Sequence, residues 1–522
     1  MITTSSSWLV SLIERLRPDL CKKFPINEIG EREGFTSWLV TSGIKEYRAV
    51  CEDSAFLTFL STSNSHNGLT ALQTLIYESR PDVQAVYPLS QGVESIIGWF
   101  ERHGIEEHNL WPLLSPAERT EILARATWLH EYARHFQETS ILPIHKRPFG
   151  VNLIGYVFGQ LGIGEDLRMA ARAMLAANIP FTLIDFPPGK DIPQNDRTMA
   201  EYVSNEGEYA INIFCMTALE HGRYYAEQGK HQIQGRYNIG YWPWELSAWP
   251  EEWRDLTRLV NEVWVSTQHT YDALVSVSDV PVHIMPMAVE LGEISTLGTR
   301  EQTREHFRLP QNATLFCFSF DLNSSIHRKN PQACVDAFLN AFPITSFNND
   351  QVGLVIKAHK PKRRHIAWEK LKQLAARDGR IHIIEETLSR PDLLALYQCC
   401  DSFLSLHRAE GFGRGIAEAM QLGLHVITTG YSGNLDFCHP PYVDLVNYKL
   451  VKVKKGQYPF AKHQVWAEVS VQHAAELMRS FYGKSKNKVS TKNDWLEFSA
   501  KKIGKRYKNK LSTINFTKVH EM

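Results

Sequence analysis

The chain has 522 residues, room for three or four domains at ~150 residues each. Hydrophobic residues make up 43% and charged residues 22%, a globular balance that excludes a mainly disordered or fibrous protein. Lys plus Arg number 57 and Asp plus Glu 57, so net charge is zero and no chain-wide electrostatic case for nucleic-acid binding exists.

Residues 1–145 read as a mainly helical accessory region without a chemical motif. At the start, MITTSSSWLVSLIERLRPDL, no basic segment precedes the short apolar stretch, and Glu14 and Arg15 cut it. No signal peptide is expected. No apolar run approaches the ~20 residues of a membrane-spanning helix. Ser115-Pro116-Ala117-Glu118 predicts a helix start: an N-cap, a proline at the first helical position and a capping-box acid. Ile122, Ala126, Leu129, Ala133 and Phe136 continue at helical spacing. Trp99, Trp111 and Trp128 are expected in a core or interface.

Residues 146–295 change texture. Val151–Tyr156 predicts a buried strand, Gly159–Gly164 a glycine-rich turn, Glu165–Ala177 a helix and Pro180–Asp185 a second strand. This order opens a parallel sheet. Further strands are expected at Tyr209–Phe214, Tyr237–Tyr241, Val263–Ser266 and Val282–Met285, with helices between. Glu290–Leu309 reads as a linker.

Residues 296–480 repeat the alternation. Strands are predicted at Leu315–Phe320, Gly353–Lys357, Ile381–Ile384, Ser402–Leu406 and His425–Thr428. Helices are predicted at Pro331–Phe342, Ala367–Ala376, Arg390–Cys400 and Gly415–Leu422. The fold class is therefore α/β: two doubly wound Rossmann-like domains, with a cleft at the C-terminal ends of their strands. Eight cysteines without a C-x-x-C pair are expected to be reduced, in the core of a cytosolic protein. Residues 481–522 form a basic tail, with Lys484, Lys486, Lys488 and Lys492 ahead of a helix marked by Trp495, Phe498, Ile503 and Tyr507.

The most specific segment runs from Ser405 to Met420. A strand ends, and two acids spaced E-x7-E, Glu410 and Glu418, follow with three glycines between them. Glycines let a ligand approach the backbone. The N-terminus of the helix at Gly415 offers free N–H groups and a positive dipole end to a diphosphate. Two carboxylates beside an anion need donors of their own, and sugar hydroxyls are such donors. Glu410 then meets a transferred sugar and Glu418 a ribose. The alternative is two solvated acids at a helix start.

Three other segments bear on chemistry. In Ser319–Pro331 a strand ends in a polar loop, and Arg328 and Lys329 can neutralise a leaving diphosphate. Lys357 ends an apolar strand, where a buried lysine needs a partner. Gly159-x-x-Gly162-x-Gly164-Glu165-x-x-Arg168 partly matches a dinucleotide fingerprint, with Asp185 placed like a ribose acid. Its third glycine is replaced by Leu167, and Glu165 would repel a pyrophosphate. Arg168 is expected to pair with Glu165 or with an acceptor anion. Asn238–Pro250 sets Trp242, Trp244, Trp249 and Glu245 in one loop. Tryptophan rings stack on the C–H faces of sugars while an acid accepts hydroxyls; the alternative is aromatic packing beneath a helix at Glu251–Val260. His269 reads as a helix-start residue outside the catalytic set.

The run E-G-F-G-x4-E-A-M-x-x-G, then a strand and Thr429-Gly430-Tyr431-Ser432-Gly433-Asn434, resembles a known signature. It is similar to the donor site of retaining, nucleotide-sugar-dependent glycosyltransferases of the GT-B fold, the bacterial family-4 type, over about residues 150–480. The resemblance implies hexose transfer to a glycan or lipid-linked acceptor with retention, in surface polysaccharide synthesis. It implies Glu410, Lys329 and Arg328 as the catalytic set. Glu418, Phe412, Gly413, Gly415, Lys357, Gly433 and Asn434 would bind the donor, and Gly162, Gly164, Trp244 and Glu245 would lie on the acceptor side of the cleft. No metal and no cofactor is implied, and no general base, because the leaving phosphate takes the acceptor proton. The family's usual Gly-Arg pair is missing near Asn323, so Arg328, Arg414 or Lys357 must stand in for its cation. The final helix would cross back to the first sheet and clasp the domains, or hold the enzyme weakly on the inner face of a membrane. Two other function classes remain: a nicotinamide-dependent oxidoreductase built on Gly159–Asp185, and a catalytically degenerate glycan-binding protein.

Overall fold

The computed structural model describes residues 7–24, 31–63, 67–136, 141–189, 192–295, 297–359, 365–482 and 496–516. The predicted tail residues Lys484, Lys486, Lys488, Lys492 and Trp495 lie outside them, as does the Asn323 side chain. The chain forms two compact units. One gathers Met1–Arg147 with Leu219–Arg236, and the other Pro148–Ala218 with Tyr237–His520.

The first unit is helical, as its periodicity predicts. Ser7 caps the helix Trp8–Leu16, whose Leu9, Val10, Leu12 and Ile13 are buried. Reciprocal capping boxes start the helices Ala71–Glu78 and Pro116–Arg125. Trp99 and Trp111 are buried, but Trp128, expected in a core or interface, is 53% exposed and lies outside the core. The cause is a break in the expected long helix. Ala126 leaves helical geometry, and a new helix, Leu129–Arg134, turns Leu129 inward and leaves Trp128 outside. The segment Leu219–Arg236 joins this unit through the Glu52 carboxylate, which accepts from the Lys230 N–H at 2.5 Å, and through Tyr225 against Trp8 at 5.7 Å.

The second unit holds both sheets. The first has strands β1 (Val151–Gly155), β2 (Phe181–Asp185), β3 (Ile211–Cys215), β4 (Tyr237–Tyr241), β5 (Glu262–Val265) and β6 (Val282–Ile284), all parallel, in the order β2-β1-β3-β4-β5-β6. The second has β7 (Thr314–Asp321), β8 (Val352–His359), β9 (Ile381–Glu385), β10 (Ser402–Ser405), β11 (His425–Thr429) and β12 (Val443–Val446), also parallel, in the order β12-β11-β10-β7-β8-β9. Helices cover both faces of such sheets, so central strands read as continuous apolar runs; β1 and β10 are buried at every position. One polar exception is satisfied internally. Asn152, Asn212 and Asn238 lie in register on β1, β3 and β4, and their side-chain amides bond in series at 2.8 Å each.

Several boundaries differ from expectation. The helix after β1 is Gly162–Ala176, so the last part of the glycine-rich turn is its first turn. The stretch expected as a linker contains the helix Arg300–His306, where buried Arg304 pairs with Asp401 at 3.0 Å. The expected helix Glu251–Val260 is a 3-10 helix, Glu251–Leu259. An antiparallel hairpin, β13 (Tyr448–Lys452) with β14 (Val465–Val469), follows β12. The final helix, Ala500–Leu511, packs on Gly162–Ala176, as the clasp reading expects. A side chain at Gly504 would overlap the Ala173 carbonyl, and Tyr507 stacks on Trp264 of β5 at 5.3 Å. Among the described residues, no helix is long and apolar enough to cross a membrane.

Candidate active site

The site forms where the loops after β7 and β10 meet. After β7, Ser325 caps the short helix Ile326–Lys329, which carries Arg328 and Lys329. Asn330 then donates from its side chain to the Leu406 carbonyl at 3.0 Å, tying this turn to the loop after β10. That loop carries Glu410 and ends at Gly413 (φ 95°), which precedes the helix Arg414–Gln421. The loop after β11 lies directly beneath it: the Gly433 N–H donates to the Glu410 carbonyl at 2.9 Å, and a side chain at Gly433 would overlap the Gly411 carbonyl. Glycine is required there by this close approach.

Glu410 is buried between two cations. Its Oε1 accepts from Lys329 Nζ at 2.5 Å and its Oε2 from Arg328 Nη1 at 3.0 Å. Burial alone would raise the carboxyl, but Lys329 and Arg328 outweigh it and hold Glu410 at about 2. Burial pulls Lys329 below the ordinary lysine value, and Glu410 offsets this only in part. Arg328 also donates to the Ala409 carbonyl at 2.9 Å and lies 3.4 Å from Glu245 Oε1. The expected catalytic trio is therefore one ion cluster, and Glu245 from the first sheet's domain touches it.

The second acid of the motif has other company. Glu418 is buried and faces Arg390 at 2.9 Å; Arg390 in turn reaches Glu165 at 3.3 Å. Arg168 donates to Glu165 at 3.1 Å and to the Val157 and Gly159 carbonyls, so it takes the Glu165 pairing expected of it. Arg414 donates to Asp166 at 2.9 Å. Burial raises Glu418 and Asp166 above ordinary carboxyl values, and the arginines recover only part of this. These contacts join the domain of the first sheet to that of the second. So do the Thr267 hydroxyl, which donates to the Gly411 carbonyl at 2.7 Å, and Asp436, which accepts from the Gln268 N–H at 2.9 Å.

Other expected site residues take different places. Trp244 is 2% exposed, donates to the Ala248 carbonyl and packs against Trp249, Trp253 and Tyr458. Its ring is no open platform for a sugar; aromatic packing prevails, which corrects its acceptor assignment. Phe412 packs on Phe437 and Phe498, so its ring steadies the loop instead of lying open to a donor. The Asn434 side chain is fully buried and bonds His407 and the Thr429 carbonyl, which holds the loop after β11 in place. Gly164 is a packing residue, since a Cβ there would overlap the Gly159 carbonyl, whereas Gly162 is exposed with open space before it. Gly415 has only ordinary contacts around it. Arg414 is committed to Asp166 and Arg328 to Glu410. Lys357 is buried and, among the described residues, has no hydrogen bond or ion pair; burial lowers it, with Asp321 opposing. Of the cations named to replace the missing one, Lys357 is the uncommitted one.

Three residues of the site escaped the sequence reading. Arg390 and Tyr458 carry no local motif, and their partners lie far along the chain; His407 lies within the Ser405–Met420 segment, but its contacts with Tyr431 and Asn434 come from the loop after β11. His407 is fully buried and held neutral, pushed down to about 4 by burial. Buried Glu165, kept charged by its arginines against the burial, also stands at the start of the Gly162 helix. A dinucleotide pyrophosphate would meet that carboxylate, so the structure speaks against the oxidoreductase reading. Among the described residues, no three His, Cys, Asp or Glu side chains gather as a metal site.

Two parallel Rossmann-like sheets joined at their loops, with the last helix returning to the first sheet, define the GT-B fold. Residues 324–444 match the family model described as glycosyl transferases group 1. The chain is similar in fold to Anabaena HepE in complex with UDP and glucose, and to the same protein with UDP-glucose. Each is 13% identical with a TM-score of 0.50, and the match covers 70% of this chain and 100% of that one. Sucrose-phosphate synthase from Thermosynechococcus elongatus matches with the same coverage and identity at a TM-score of 0.49. No curated protein matches the chain by sequence.

Proposed function

We propose that the protein is a retaining glycosyltransferase of the family-4 type that moves a hexose from a nucleotide-diphosphate sugar to a glycan or lipid-linked acceptor. The observation that carries this is Glu410, held as a carboxylate between Lys329 and Arg328 in the loop that leads into the Arg414–Gln421 helix. The match of residues 324–444 supports it, as do the complexes of the structurally similar HepE with UDP and glucose and with UDP-glucose. A donor diphosphate draws Lys329 and Arg328 toward its oxygens, with Lys357 as a further cation. Glu410 is then released to accept hydroxyls of the donor sugar, and Glu418 to accept those of the ribose. The cations stabilise the charge that grows on the leaving phosphate, which takes the acceptor proton; neither acid acts as a nucleophile. In this reading the reaction needs no metal and serves surface polysaccharide synthesis.

The test is a screen of nucleotide sugars, read by mass spectrometry for transfer or hydrolysis, with thermal shift against UDP, GDP, ADP and NAD. A nucleotide at ~100 times its dissociation constant adds ~2.7 kcal/mol of stability. Stabilisation by NAD and by none of the others would sink the reading; loss of activity in EDTA, restored by a divalent ion, would sink its metal-free chemistry. The reading also includes weak, salt-reversible contact with an anionic membrane. The apolar side of Ala500–Leu511 is buried in the protein, but Lys501, Lys502, Lys505, Arg506 and Lys508 are exposed. Each is good for ~1 kcal/mol near such a surface. Failure to co-sediment with anionic vesicles at low salt would remove this part.

A further inference from the structure

The hairpin β13–β14 carries a loop, residues 453–464, that reaches both halves of the site. On the donor side, the Gln457 carbonyl accepts from the Ser325 hydroxyl at 2.9 Å, directly before the helix of Arg328 and Lys329. On the other side, Gln464 brackets Ala248: it accepts from the Ala248 N–H at 3.1 Å and donates to its carbonyl at 2.6 Å. Phe460 packs on Trp253 at 5.2 Å. The loop is thus fixed at three points, and Tyr458 stands between them. Its hydroxyl donates to Glu245 Oε2 at 2.6 Å, and its ring lies 5.9 Å from both the Arg328 guanidinium and the Trp244 ring. Glu245 Oε1 faces Arg328, which bonds Glu410. One arginine therefore separates the Tyr458–Glu245 pair from the acid assigned to the donor sugar.

We propose that Tyr458 is a positioning residue that selects acceptor over water: its hydroxyl makes to Glu245 the hydrogen bond that an acceptor alcohol makes during transfer. This rests on the glycosyltransferase reading of the site. A phenol and a sugar alcohol offer a carboxylate the same O–H donor, so a sugar hydroxyl can take the place of Tyr458 on Glu245 Oε2. A single water must compete with a donor that the packed loop holds in position, and it brings no further contacts to help. The tyrosine thereby guards the donor against hydrolysis. In that side reaction a water oxygen bonds the anomeric carbon and the bond from that carbon to the β-phosphate oxygen breaks. One water proton leaves on the phosphate, giving free sugar and nucleoside diphosphate.

The experiment is a double-mutant cycle with Tyr458→Phe and Glu245→Gln in the full chain. It is read by mass spectrometry as hydrolysis of the glucose derivative of whichever of UDP, GDP and ADP most stabilises the wild type. Tyr458→Phe keeps the ring and removes the donor. It should keep the nucleotide-induced thermal shift and raise hydrolysis by roughly tenfold, the scale of one charge-assisted hydrogen bond. In the Glu245→Gln background the same change should alter hydrolysis less than about twofold, because the partner is already altered. Gln464→Ala, which loosens the loop without touching Glu245, should also raise hydrolysis. An intact nucleotide shift with unchanged hydrolysis, or with an equal change in both backgrounds, overturns the role of Tyr458 and leaves the glycosyltransferase reading standing. If none of the three nucleotides stabilises the wild type, the reading itself falls, and this proposal with it.

Discussion

Glu410 and Glu418 belong to one motif and are both buried, yet their surroundings drive them in opposite directions. Glu410 has an ammonium and a guanidinium within 3.0 Å and is held at about 2. Glu418 touches one arginine, Arg390, which it shares with Glu165; Arg414 helps it from farther off, Glu165 opposes, and burial raises it. Residue type and spacing do not set the charge state of a buried acid; the cations in direct contact with it, weighed against burial and neighbouring acids, do. The difference suits the two tasks proposed for them. A permanent carboxylate can serve a sugar and its charge-bearing transition state, while a more weakly held one can serve the neutral hydroxyls of a ribose.

The largest expected effect tests the Glu410 side. Glu410→Gln leaves Lys329 and Arg328 buried without their carboxylate, which should destabilise the protein by ~3–5 kcal/mol. Urea denaturation reads this. Turnover should fall strongly, but nucleotide binding should persist, because Lys329 and Arg328 remain available to the phosphates. A variant as stable as the wild type would break the comparison. Lys329→Ala comes next, with an expected loss of ~2–4 kcal/mol in transition-state stabilisation, the range for one preorganised charge-stabilising group. It is read as kcat on the nucleotide sugar found by the screen.

Acid titration sharpens the same point. Glu410 falls from an ordinary 4.5 to about 2 on folding. At ~1.36 kcal/mol per pH unit this is a contribution of ~3 kcal/mol. A depressed carboxyl stabilises fully above its unfolded value and loses that stabilisation as pH falls. The gap in stability between wild type and Glu410→Gln should therefore shrink between pH 4.5 and pH 2. A gap that stays constant across this window would show that Glu410 does not hold the proton-free state assigned to it.

Most of the framework could be read from the chain, because strands buried on both faces leave mostly apolar runs such as Val151–Gly155 and Leu315–Phe318. The hairpin could not. Along β13 four of five residues are exposed, and Lys449 and Lys452 break any apolar pattern. The loop it carries is nonetheless what brings Tyr458 to Glu245. The site divides in the same way. Glu410, Lys329 and Arg328 were legible because each sits just after a strand, in a loop whose polar and glycine content announces a ligand. Arg390 was not, since its partners Glu165 and Glu418 lie on separate helices and only tertiary packing joins them. Trp244 misled because an aromatic loop suits both a sugar platform and a core, and Trp249, Trp253 and Tyr458 had to be seen around it.

Glu418→Gln should show the smallest change in stability. The variant loses the ion pair with Arg390, which favours the carboxylate, but it also sheds the burial of a charge, which opposes it. Because burial is the larger influence, the two should cancel to within ~1 kcal/mol at neutral pH. The sign follows from the raised carboxyl. Its folded form takes up a proton more readily than its unfolded form, so the ionised group is a liability at neutral pH. That liability fades as pH falls through the folded value toward 4.5, and Glu418→Gln should lack it at every pH. The stability curves of wild type and variant should therefore draw together on the way down to 4.5, while nucleotide affinity falls roughly tenfold for the lost hydrogen bond to a charged group. Urea denaturation across pH 7 to 4.5 and nucleotide thermal shifts check both. A loss of stability as large as that of Glu410→Gln would mean that Arg390 outweighs burial at Glu418, and the contrast between the two acids would not hold.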